Sequence, residues 1–521
     1  MNRNDALLPR YRGTVVELLL QSAAQWPDHP ALACEGHTLG YGRYAEEAIA
    51  LASRLCAGSP PERVAMIMRN GIGACIAHFG ALASGAQLLP VNPDYTAREL
   101  GYQLQDAACD AIIADDSLQA LVGPLAESLG LRVIWMSGSL PRQHPKPPDP
   151  ERLPRRVAPS ALGILQYTGG TSGRPKGVNL THAALRTNVE QREALLPTRM
   201  ASERILCAMP LFHSYGMAMG LYLAARCAGT LVILPTFRRD ELFDAIEAHR
   251  ITLLPGSPSI YVSLMAHSRF EGTDWSSLRM CYSGASALPV AVLRRWESTV
   301  KAAIFEGYGM TEAGPVLSFN GPGHTAKAGS VGLPLPQTQI EIVDIETGLR
   351  SLGTGERGEI RARGPQLMQG YRRLPIETSE ALRDGWLYTG DLGEIDADGH
   401  LFIRGRKKDL IIVGGYNVYP REIEEVLQEH PAVLEAAVVG MPDGYRGEVL
   451  LAFVVPRPGM DDLAAEESLA HHCAERLARY KRPERYLRLA ALPKTPINKI
   501  DRNALVALAN DAVSPIGAKS C

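Results

Sequence analysis

The sequence predicts an α/β protein. It should have a large N-terminal part of βαβ subdomains with parallel sheets, then a β-barrel-like section, then a small α+β C-terminal part. From about residue 60 to residue 306, short apolar runs alternate with amphipathic stretches of helical length, which is the pattern of βαβ units. After about residue 325, apolar and polar residues alternate with a period of two, which is typical of half-buried antiparallel strands.

Six apolar runs in the first region are expected to be strands of parallel sheets. They are RVAMIM (63–68), AIIA (111–114), LRVIWM (131–136), ILCAM (205–209), ITLL (251–254) and AAIF (302–305). Residues 96–107 and 239–250 have the spacing of amphipathic helices. The most apolar window, 216–235, contains an arginine and three glycines. It therefore predicts a buried helix and then a core strand over 230–234, not a membrane span.

The second region predicts strands at 339–344 and 358–364 and a hairpin over 386–406. Asp398-Gly399 supplies the turn signal of that hairpin. From about residue 420 the pattern changes to a small α+β unit. Its expected elements are a helix over 420–430, strands near 433–440 and 449–455, and a helix over 463–479.

The composition excludes several classes of protein. Lys and Arg total 54 and Asp and Glu total 56, so the net charge of −2 argues against a nucleic-acid partner bound by bulk charge. The nine cysteines form no CxxC pair, so a disulfide scaffold is not expected. The N-terminus lacks the apolar run of a signal peptide. We therefore expect a cytoplasmic protein without a transmembrane segment.

The strongest chemical signal is YTGGTSGRPKG (167–177), which follows the apolar run 161–167. Glycines let backbone N–H groups approach an anion, hydroxyls add donors, and the lysine adds charge. Together these groups suit a triphosphate. The segment is not a Walker A loop, because Lys176 follows Pro175 and no Ser or Thr comes after it.

This segment resembles the phosphate loop of the adenylate-forming, acyl-activating superfamily, whose members include acyl-CoA synthetases, adenylation domains and luciferases. Five further blocks follow in the family's order: SGAS (283–286), EGYGMTEAGP (306–315), WLYTGD (386–391), GRKKDLIIVGGYNVYPREIE (405–424) and LPKTPINKIDR (492–502). Gly169 and Ser172 stand where Ser and Thr are usual. Ile497-Asn498 replaces the usual Ser-Gly, and Asn tolerates the backbone angles of glycine.

The resemblance implies that the chain binds ATP, Mg²⁺ and the co-substrate coenzyme A. The implied ATP and AMP contacts are Thr168, Gly169, Gly170, Thr171, Ser172, Gly173, Lys176, Gly284, Ala285, Glu306, Gly307, Tyr308, Gly309, Thr311, Asp391 and Arg406. Glu312 matches the magnesium carboxylate. Mg²⁺ bound together with phosphates needs few protein oxygens, so one carboxylate suffices.

The resemblance also implies a movement of the C-terminal part. Lys499 matches the lysine that contacts the carboxylate and the α-phosphate during adenylation. Lys408 matches the hinge between a domain of residues 1–405 and a mobile domain of residues 406–521. In the second orientation Gly414 and Gly415 would approach the acyl-adenylate and open a path for the CoA thiol.

His213 resembles the gate between the ATP and acyl sites, although a lone histidine is more often a core residue. The implied catalytic residues are thus Lys499, Thr311, Glu312 and His213. The implied acyl pocket consists of mostly small or apolar residues, namely His213, Gly216, Ser283, Gly284, Ala285, Gly309, Met310, Pro315 and Val316. Amino-acid-activating members of this family place an Asp near here to hold the α-amino group. No acid occurs from Met209 to Arg226, so the resemblance disfavours an amino-acid substrate.

The sequence therefore predicts an ATP-dependent carboxylate–CoA ligase. Its substrate would be a fatty acid of medium or longer chain, or an aryl acid. One alternative is an acyl-AMP ligase that loads an acyl carrier protein. A remote alternative is a non-catalytic binding protein with a degenerate site. The second alternative requires the loss of Lys176, Glu312, Asp391 or Lys499, and all four are present.

Overall fold

The computed structural model describes residues 13–137, 155–168, 175–321, 326–413, 416–443, 446–460, 465–495 and 500–513. The helices are α1 (Val16–Gln25), α2 (Tyr41–Cys56), α3 (Ile72–Ala83), α4 (Ala97–Ala107), α5 (Gln119–Ser128), α6 (His182–Leu195), α7 (Ser214–Gly216), α8 (Leu223–Cys227), α9 (Arg239–Ala248), α10 (Pro258–Met265), α11 (Val290–Thr299), α12 (Pro375–Ala381), α13 (Pro420–Glu429), α14 (Glu466–Arg476) and α15 (Arg502–Val513).

The strands are β1 (Pro30–Cys34), β2 (His37–Gly40), β3 (Arg63–Ile67), β4 (Gln87–Val91), β5 (Ala111–Asp115), β6 (Arg132–Met136), β7 (Leu162–Thr168), β8 (Lys176–Thr181), β9 (Arg204–Cys207), β10 (Thr230–Ile233), β11 (Leu253–Gly256), β12 (Met280–Ser283), β13 (Ile304–Gly309), β14 (Val316–Phe319), β15 (Leu333–Pro334), β16 (Gln339–Val343), β17 (Gly358–Arg363), β18 (Gly370–Tyr371), β19 (Leu382–Arg383), β20 (Trp386–Ile395), β21 (Leu401–Arg406), β22 (Ile411–Val413), β23 (Tyr416–Val418), β24 (Val433–Asp443), β25 (Gly447–Pro456) and β26 (Arg485–Arg488).

The chain packs into two compact units. The first comprises Met1–Leu288, Arg294–Ile340 and Ala362–Tyr388, and the second comprises Pro289–Leu293, Glu341–Arg361 and Thr389–Cys521. Both sides of the predicted boundary between residues 405 and 406 lie in the second unit. That boundary concerns a movement, and it stays a prediction.

Two sheets build the first unit. Sheet A has the order β15-β14-β13-β12-β11-β9-β10-β1-β2, and its central neighbours from β13 to β1 run parallel. Sheet B has the order β18-β8-β7-β4-β3-β5-β6, with parallel pairing from β7 to β6 and antiparallel pairing of β8 with β7 and β18. The prediction of parallel sheets is therefore confirmed.

Helix α3 contacts β3 and β4 of sheet B and β1 of sheet A, so it lies between the two sheets. All its residues are buried, as expected for a helix that is apolar on every side. Gly80 lets α3 approach α2 closely, because a Cβ there would lie 2.8 Å from a methyl of Leu51. The described residues contain no helix with both the length and the apolar character of a membrane span.

Most predicted elements of the first unit are present. Helix α4 covers the predicted 96–107, and Thr96 and Glu99 form a capping box at its start. The buried helix after residue 216 is also present, but residues Met217–Tyr222 have π-helical geometry. Strands β11 and β13 begin two residues later than predicted, and both also end later. Ile251 still bonds to the end of α9, so β11 starts at Leu253, and β13 runs on to Gly309 because β14 pairs with its last residues.

Strands β16 to β26, apart from β18, form two five-stranded sheets, and the second of them belongs to the small α+β section of the second unit. Sheet C has the order β16-β17-β20-β19 with β21 on β20, and β20 with β21 forms the predicted hairpin. Sheet D has the order β23-β22-β25-β24 with β26 beside β25. Helices α13 and α14 cover one face of sheet D, where Leu427 and Leu469 pack on Val438. On the opposite face Leu505 of α15 packs near Val439, as the alternation along a strand requires.

One helix of the second unit is shorter than predicted. The sequence predicts helix over 463–479, whereas α14 ends at Arg476. Arg482 explains the stop, because its guanidinium donates to the carbonyl oxygens of Ala474 and Leu477. A side chain thereby satisfies carbonyl groups that a longer helix would have bonded internally.

Candidate functional site

The predicted phosphate loop connects two neighbouring strands of sheet B. Strand β7 ends at Thr168 and β8 begins at Lys176, and these two residues are partners across the antiparallel ladder. The Thr168 hydroxyl donates to the carbonyl oxygen of Lys176 at 3.4 Å. The ladder thus fixes both ends of the loop. Five predicted loop residues, Gly169, Gly170, Thr171, Ser172 and Gly173, lie outside the described residues.

Strand β18 pairs with β8 on the side of β8 that faces away from β7. Gly370 and Tyr371 pair with Asn179 and Val178, and the next residue donates its N–H to the Gly177 carbonyl oxygen at 2.7 Å. This register places the Tyr371 ring below Lys176, whose ammonium nitrogen lies 4.6 Å from the ring centroid. A cation at that distance over an aromatic face is attracted to the ring.

Glu312 lies in a short 3₁₀ turn after β13, in which Thr311 is half-buried and Glu312 is 6% exposed. The Tyr371 hydroxyl donates to its Oε1 at 2.8 Å. The backbone N–H of Met368 donates to the carbonyl oxygen of the same glutamate at 2.9 Å. Burial and the nearby Glu312 carboxylate both raise the pKa of Tyr371, so the phenol remains a donor at neutral pH.

The predicted adenine segments lie at the carboxyl ends of the central strands of sheet A. Ser283 ends β12 and pairs with Glu306 of β13, whose carboxylate accepts the N–H of Leu288 at 3.1 Å. Gly284 and Ala285 follow, and Ala285 adopts φ +70°. Ligands of open α/β sheets bind outside the carboxyl ends of strands, so this edge suits a nucleotide.

The glycines at this edge are required by packing. A Cβ on Gly309 would lie 1.9 Å from the Pro315 carbonyl oxygen, and one on Gly216 would lie 2.2 Å from that of Pro210. At Gly307 a Cβ would meet the ring of Phe319 at 2.5 Å, and at Gly284 it would meet the ring of Tyr215 at 2.8 Å. Tyr308 and Gly309 pair with β14, and Met310 donates its N–H to the Pro315 carbonyl oxygen.

His213 lies just beyond β9 on the same edge of sheet A. Its Nδ1 accepts the N–H of Tyr215 at 3.2 Å, and the side chain is half-buried. Gln166 of β7 donates to the carbonyl oxygen of Phe212 at 3.2 Å, which ties the predicted gate segment to the strand that leads into the phosphate loop. The gate role itself stays a prediction.

Asn188 on α6 supports the start of β14, where the predicted acyl residues Pro315 and Val316 lie. The buried Asn188 amide donates to the Val316 carbonyl oxygen at 2.8 Å and accepts the Val316 N–H at 3.1 Å. No motif points to Asn188, because the pair is separated by more than a hundred residues and depends on the tertiary fold.

We expect Asn188→Ala to lower the free energy of unfolding by about 1–3 kcal/mol, because the Val316 N–H loses its side-chain partner and the Val316 carbonyl oxygen keeps only the 3.5 Å contact from the Gln366 amide. Urea unfolding followed by circular dichroism would measure the change. Ser298→Ala, at an exposed hydroxyl of α11, is the matched control and should change it by less than about 0.5 kcal/mol. Equal midpoints for the wild type and Asn188→Ala would contradict the supporting role.

The predicted residues of the second unit have their own local contacts. Asp391 and Arg406 face each other across the β20–β21 ladder, and the Arg406 Nε lies 3.2 Å from the Asp391 Oδ1. The Thr389 hydroxyl accepts the Asp391 N–H at 3.1 Å. Lys408 is exposed in a 3₁₀ turn between β21 and β22. The predicted Gly414, Gly415 and Lys499 lie outside the described residues.

The described residues fit a magnesium ion held together with a triphosphate. They contain no cluster of three or more His, Cys, Asp or Glu that could hold a metal alone. Glu312 instead offers one carboxylate, and Glu312 and Lys176 contact the same residue, Tyr371. Mg²⁺ uses one or two carboxylates plus substrate phosphates in such sites. Bound there, the ion would neutralise charge on the phosphates.

Tyr371 is the main site residue that sequence reasoning missed. The only available signal was its short pattern MQGYRR (368–373), which has no chemical meaning until β18 is known to pair with β8. The structure thus joins Lys176 and Glu312 through a residue that lies far from both in sequence.

Comparison with known proteins agrees with this geometry. The model of the AMP-binding enzyme family matches residues 19–372, and the model of its C-terminal domain matches residues 422–499. A long-chain-fatty-acid–CoA ligase of Bacillus subtilis (strain 168) is 37% identical and covers 96% of this chain and 95% of the relative. A ligase of the same name from Escherichia coli O157:H7 is 33% identical, with 97% of each chain covered. A 4-coumarate–CoA ligase 3 of Oryza sativa subsp. japonica is 34% identical, with 85% and 82% covered.

Solved structures show the same architecture. The ATP-bound MatB of Rhodopseudomonas palustris superposes with a TM-score of 0.86 at 28% identity, covering 95% of this chain and 99% of that chain. The anthranilate CoA ligase AuaEII in complex with anthranoyl-AMP has a TM-score of 0.89 at 26% identity, covering 99% and 100%. The chain therefore belongs to the AMP-binding enzyme family, which forms adenylates. Within it, the chain is an AMP-forming acid–thiol ligase, and the predicted family and enzyme class are confirmed.

Proposed function

We propose that this ligase activates a fatty acid of medium or long chain, and that it accepts aryl acids less well. The substrate class rests on the types of residue predicted to line the acyl pocket. Apart from His213 and Ser283, its residues are small or apolar, and none is a lysine or arginine that could hold a second carboxylate. Relatives named long-chain-fatty-acid–CoA ligases support the fatty acid, and the 4-coumarate–CoA ligase supports the aryl acid as second candidate.

The reaction has two steps. An oxygen of the substrate carboxylate attacks the α-phosphorus of ATP, the bond to pyrophosphate breaks, and acyl-AMP forms. The CoA thiolate then attacks the acyl carbon, the bond to AMP breaks, and the thioester forms. Two anions meet in the first step, so the barrier falls mainly through positioning and neutralisation of charge.

We assign the residues to these steps as follows. Lys176 and the phosphate loop hold the triphosphate, and Glu312 holds the metal ion beside it. The predicted ribose partner is Asp391, whose two oxygens suit vicinal hydroxyls. Lys499 bridges the carboxylate and the α-phosphate during the first step. The support is the match to the family pattern, together with the contacts of Lys176 and Glu312 with Tyr371.

Two finer points are the thiol that accepts the acyl group and the cellular location of the protein. We propose CoA as the acceptor, with a carrier protein as the alternative, because the relatives that cover nearly the whole chain are named CoA ligases. We also propose a cytoplasmic location. The eight cysteines among the described residues are free, which is compatible with a reducing compartment.

A panel of carboxylates tests the proposal by AMP release with CoA present. Burying one methylene contributes about 0.8 kcal/mol, so kcat/KM should rise about fourfold per added methylene along the straight-chain acids until the pocket is filled. 4-Coumarate should react more slowly than the best fatty acid, and malonate and phenylalanine more slowly still.

Several results would contradict the proposal. A dicarboxylate or an amino acid as the best substrate would overturn the substrate class. AMP release that required a carrier protein in place of CoA would favour the acyl-AMP ligase. The absence of pyrophosphate release with every acid would favour the binding protein.

A further inference from the structure

Tyr371 makes one contact to each of the two charged residues that the proposed function assigns to the triphosphate. Its hydroxyl donates to the Glu312 carboxylate at 2.8 Å, and its ring lies 4.6 Å below the Lys176 ammonium. The cation and the anion approach different parts of one side chain, the ring face and the hydroxyl. A change at the hydroxyl can therefore be separated from a change at the ring.

The backbone of Tyr371 is held independently of the phenol. Its N–H donates to the Thr378 hydroxyl at 2.9 Å, and Gly370 and Tyr371 pair with β8. The glutamate segment is bound to the same strand region, because the N–H of Met368 donates to the Glu312 carbonyl oxygen. The Tyr371 hydroxyl thus approaches a carboxylate whose own backbone is fixed.

Orientation of the carboxylate has a physical consequence for metal binding. A metal must order any carboxylate that can still rotate in its site, at a cost in conformational entropy. A hydrogen bond to one oxygen selects one rotamer before the metal arrives. Groups that orient metal ligands in this way change metal affinity by about 10–100-fold when they are removed.

We propose that Tyr371 is a positioning residue for the metal-bound triphosphate: its hydroxyl orients Glu312 toward Mg²⁺, and its ring positions Lys176 toward the phosphates. This inference rests on the proposed function, which assigns Glu312 to the metal and Lys176 to ATP. It adds a residue that no sequence motif of this chain indicates. Tyr371 does not touch the reacting atoms and acts through its two partners.

A double-mutant cycle tests the proposal without catalysis. ATP binding to the full chain is measured by titration calorimetry with no acid and no CoA, once with saturating Mg²⁺ and once with a chelator. The magnesium gain is the dissociation constant for ATP in the chelator divided by the dissociation constant for ATP with Mg²⁺. The proteins are the wild type, Tyr371→Phe, Glu312→Gln and the double variant.

Loss of the Tyr371 hydroxyl is expected to weaken ATP binding only when Mg²⁺ is present. Tyr371→Phe keeps the ring below Lys176, so binding in the chelator should stay within about twofold while the magnesium gain falls about tenfold. In the Glu312→Gln background the same change should alter the gain by less than about twofold, because glutamine lacks the charged carboxylate that the hydroxyl would orient toward Mg²⁺. Tyr371→Leu also removes the ring, so it should weaken binding in the chelator as well.

Thr378→Val is the control for strand stability. It removes the hydroxyl that accepts the Tyr371 N–H and leaves the phenol untouched, so the magnesium gain should not change. If Tyr371→Phe lowers the unfolding temperature, this variant shows what a weaker strand alone does. A fall in the gain for Thr378→Val equal to that for Tyr371→Phe would overturn the proposal.

Two other outcomes would also overturn it. The first is an equal loss in Tyr371→Phe with and without Mg²⁺. The second is an equal loss in the wild-type and Glu312→Gln backgrounds. Failure of the proposed substrate class is a separate result, because it would leave magnesium-dependent ATP binding intact in the wild type. A wild type with no magnesium gain would remove both the inference and the role of Glu312.

Discussion

Lys499→Ala is expected to reduce adenylation about 10²–10³-fold in kcat while leaving thioester formation from supplied acyl-AMP within about tenfold of the wild type. The lysine's charge is required where the carboxylate and the α-phosphate meet, and loss of one such contact in a transition state costs about 3–4 kcal/mol. In the second step the two anions have already reacted. Pyrophosphate exchange measures the first step, and single-turnover thioester formation measures the second.

Lys494 provides the matched control. It is a second lysine of the same terminal motif, and its ammonium nitrogen lies 2.6 Å from Glu435. Lys494→Ala should therefore leave pyrophosphate exchange nearly unchanged. Equal losses of both half-reactions in Lys499→Ala would show that the lysine is structural, and the role assigned to it would be wrong.

Lys408→Pro is expected to impair the transfer to CoA more than adenylation, which is the opposite of the result expected for Lys499→Ala. Proline fixes φ near −65° and removes a backbone donor, and a hinge must change φ and ψ between its two states. Lys408 is exposed in a short helical turn between β21 and β22, and such a turn has a φ that proline can adopt. Adenylation should persist within about tenfold, and transfer to CoA should fall much more.

The control for the hinge keeps the torsional freedom. Lys408→Ala should retain both half-reactions, since alanine leaves φ and ψ free to change. The neighbouring ion pairs, Lys407 with Glu359 at 2.8 Å and Asp409 with Arg502 at 3.4 Å, are left in place by both variants. Equal loss of both steps in Lys408→Pro, with an intact circular dichroism spectrum, would refute the hinge and with it the predicted boundary at 405/406.

The fold class could be predicted because period and length are local properties of the sequence. The runs at 63–68 and 111–114 became β3 and β5, and the stretch 96–107 became α4. The N-terminal helices α1 and α2 were not predicted, although both bury an apolar face. The π-helical geometry of Met217–Tyr222 could not be predicted either, because an apolar pattern does not specify which carbonyl group each N–H will bond.

The candidate site could be predicted only in its contiguous blocks. Thr168 and Lys176 belong to one block and are joined by one hairpin, and Glu312 follows directly from β13. Tyr371 and Asn188 depend on pairings between distant segments, namely β18 with β8 and α6 with β14. Those pairings are decided by tertiary packing, and a single sequence does not contain them as a pattern.

Formation of an acyl-AMP intermediate is the central claim, and an oxygen label tests it most directly. Hexadecanoic acid labelled with heavy oxygen in both carboxylate positions is incubated with the enzyme, MgATP and CoA, and the products are analysed by mass spectrometry. Attack of the carboxylate on the α-phosphorus predicts one labelled oxygen in AMP, one in the acyl-CoA and none in pyrophosphate. Unlabelled AMP, or label in pyrophosphate or inorganic phosphate, would contradict the account.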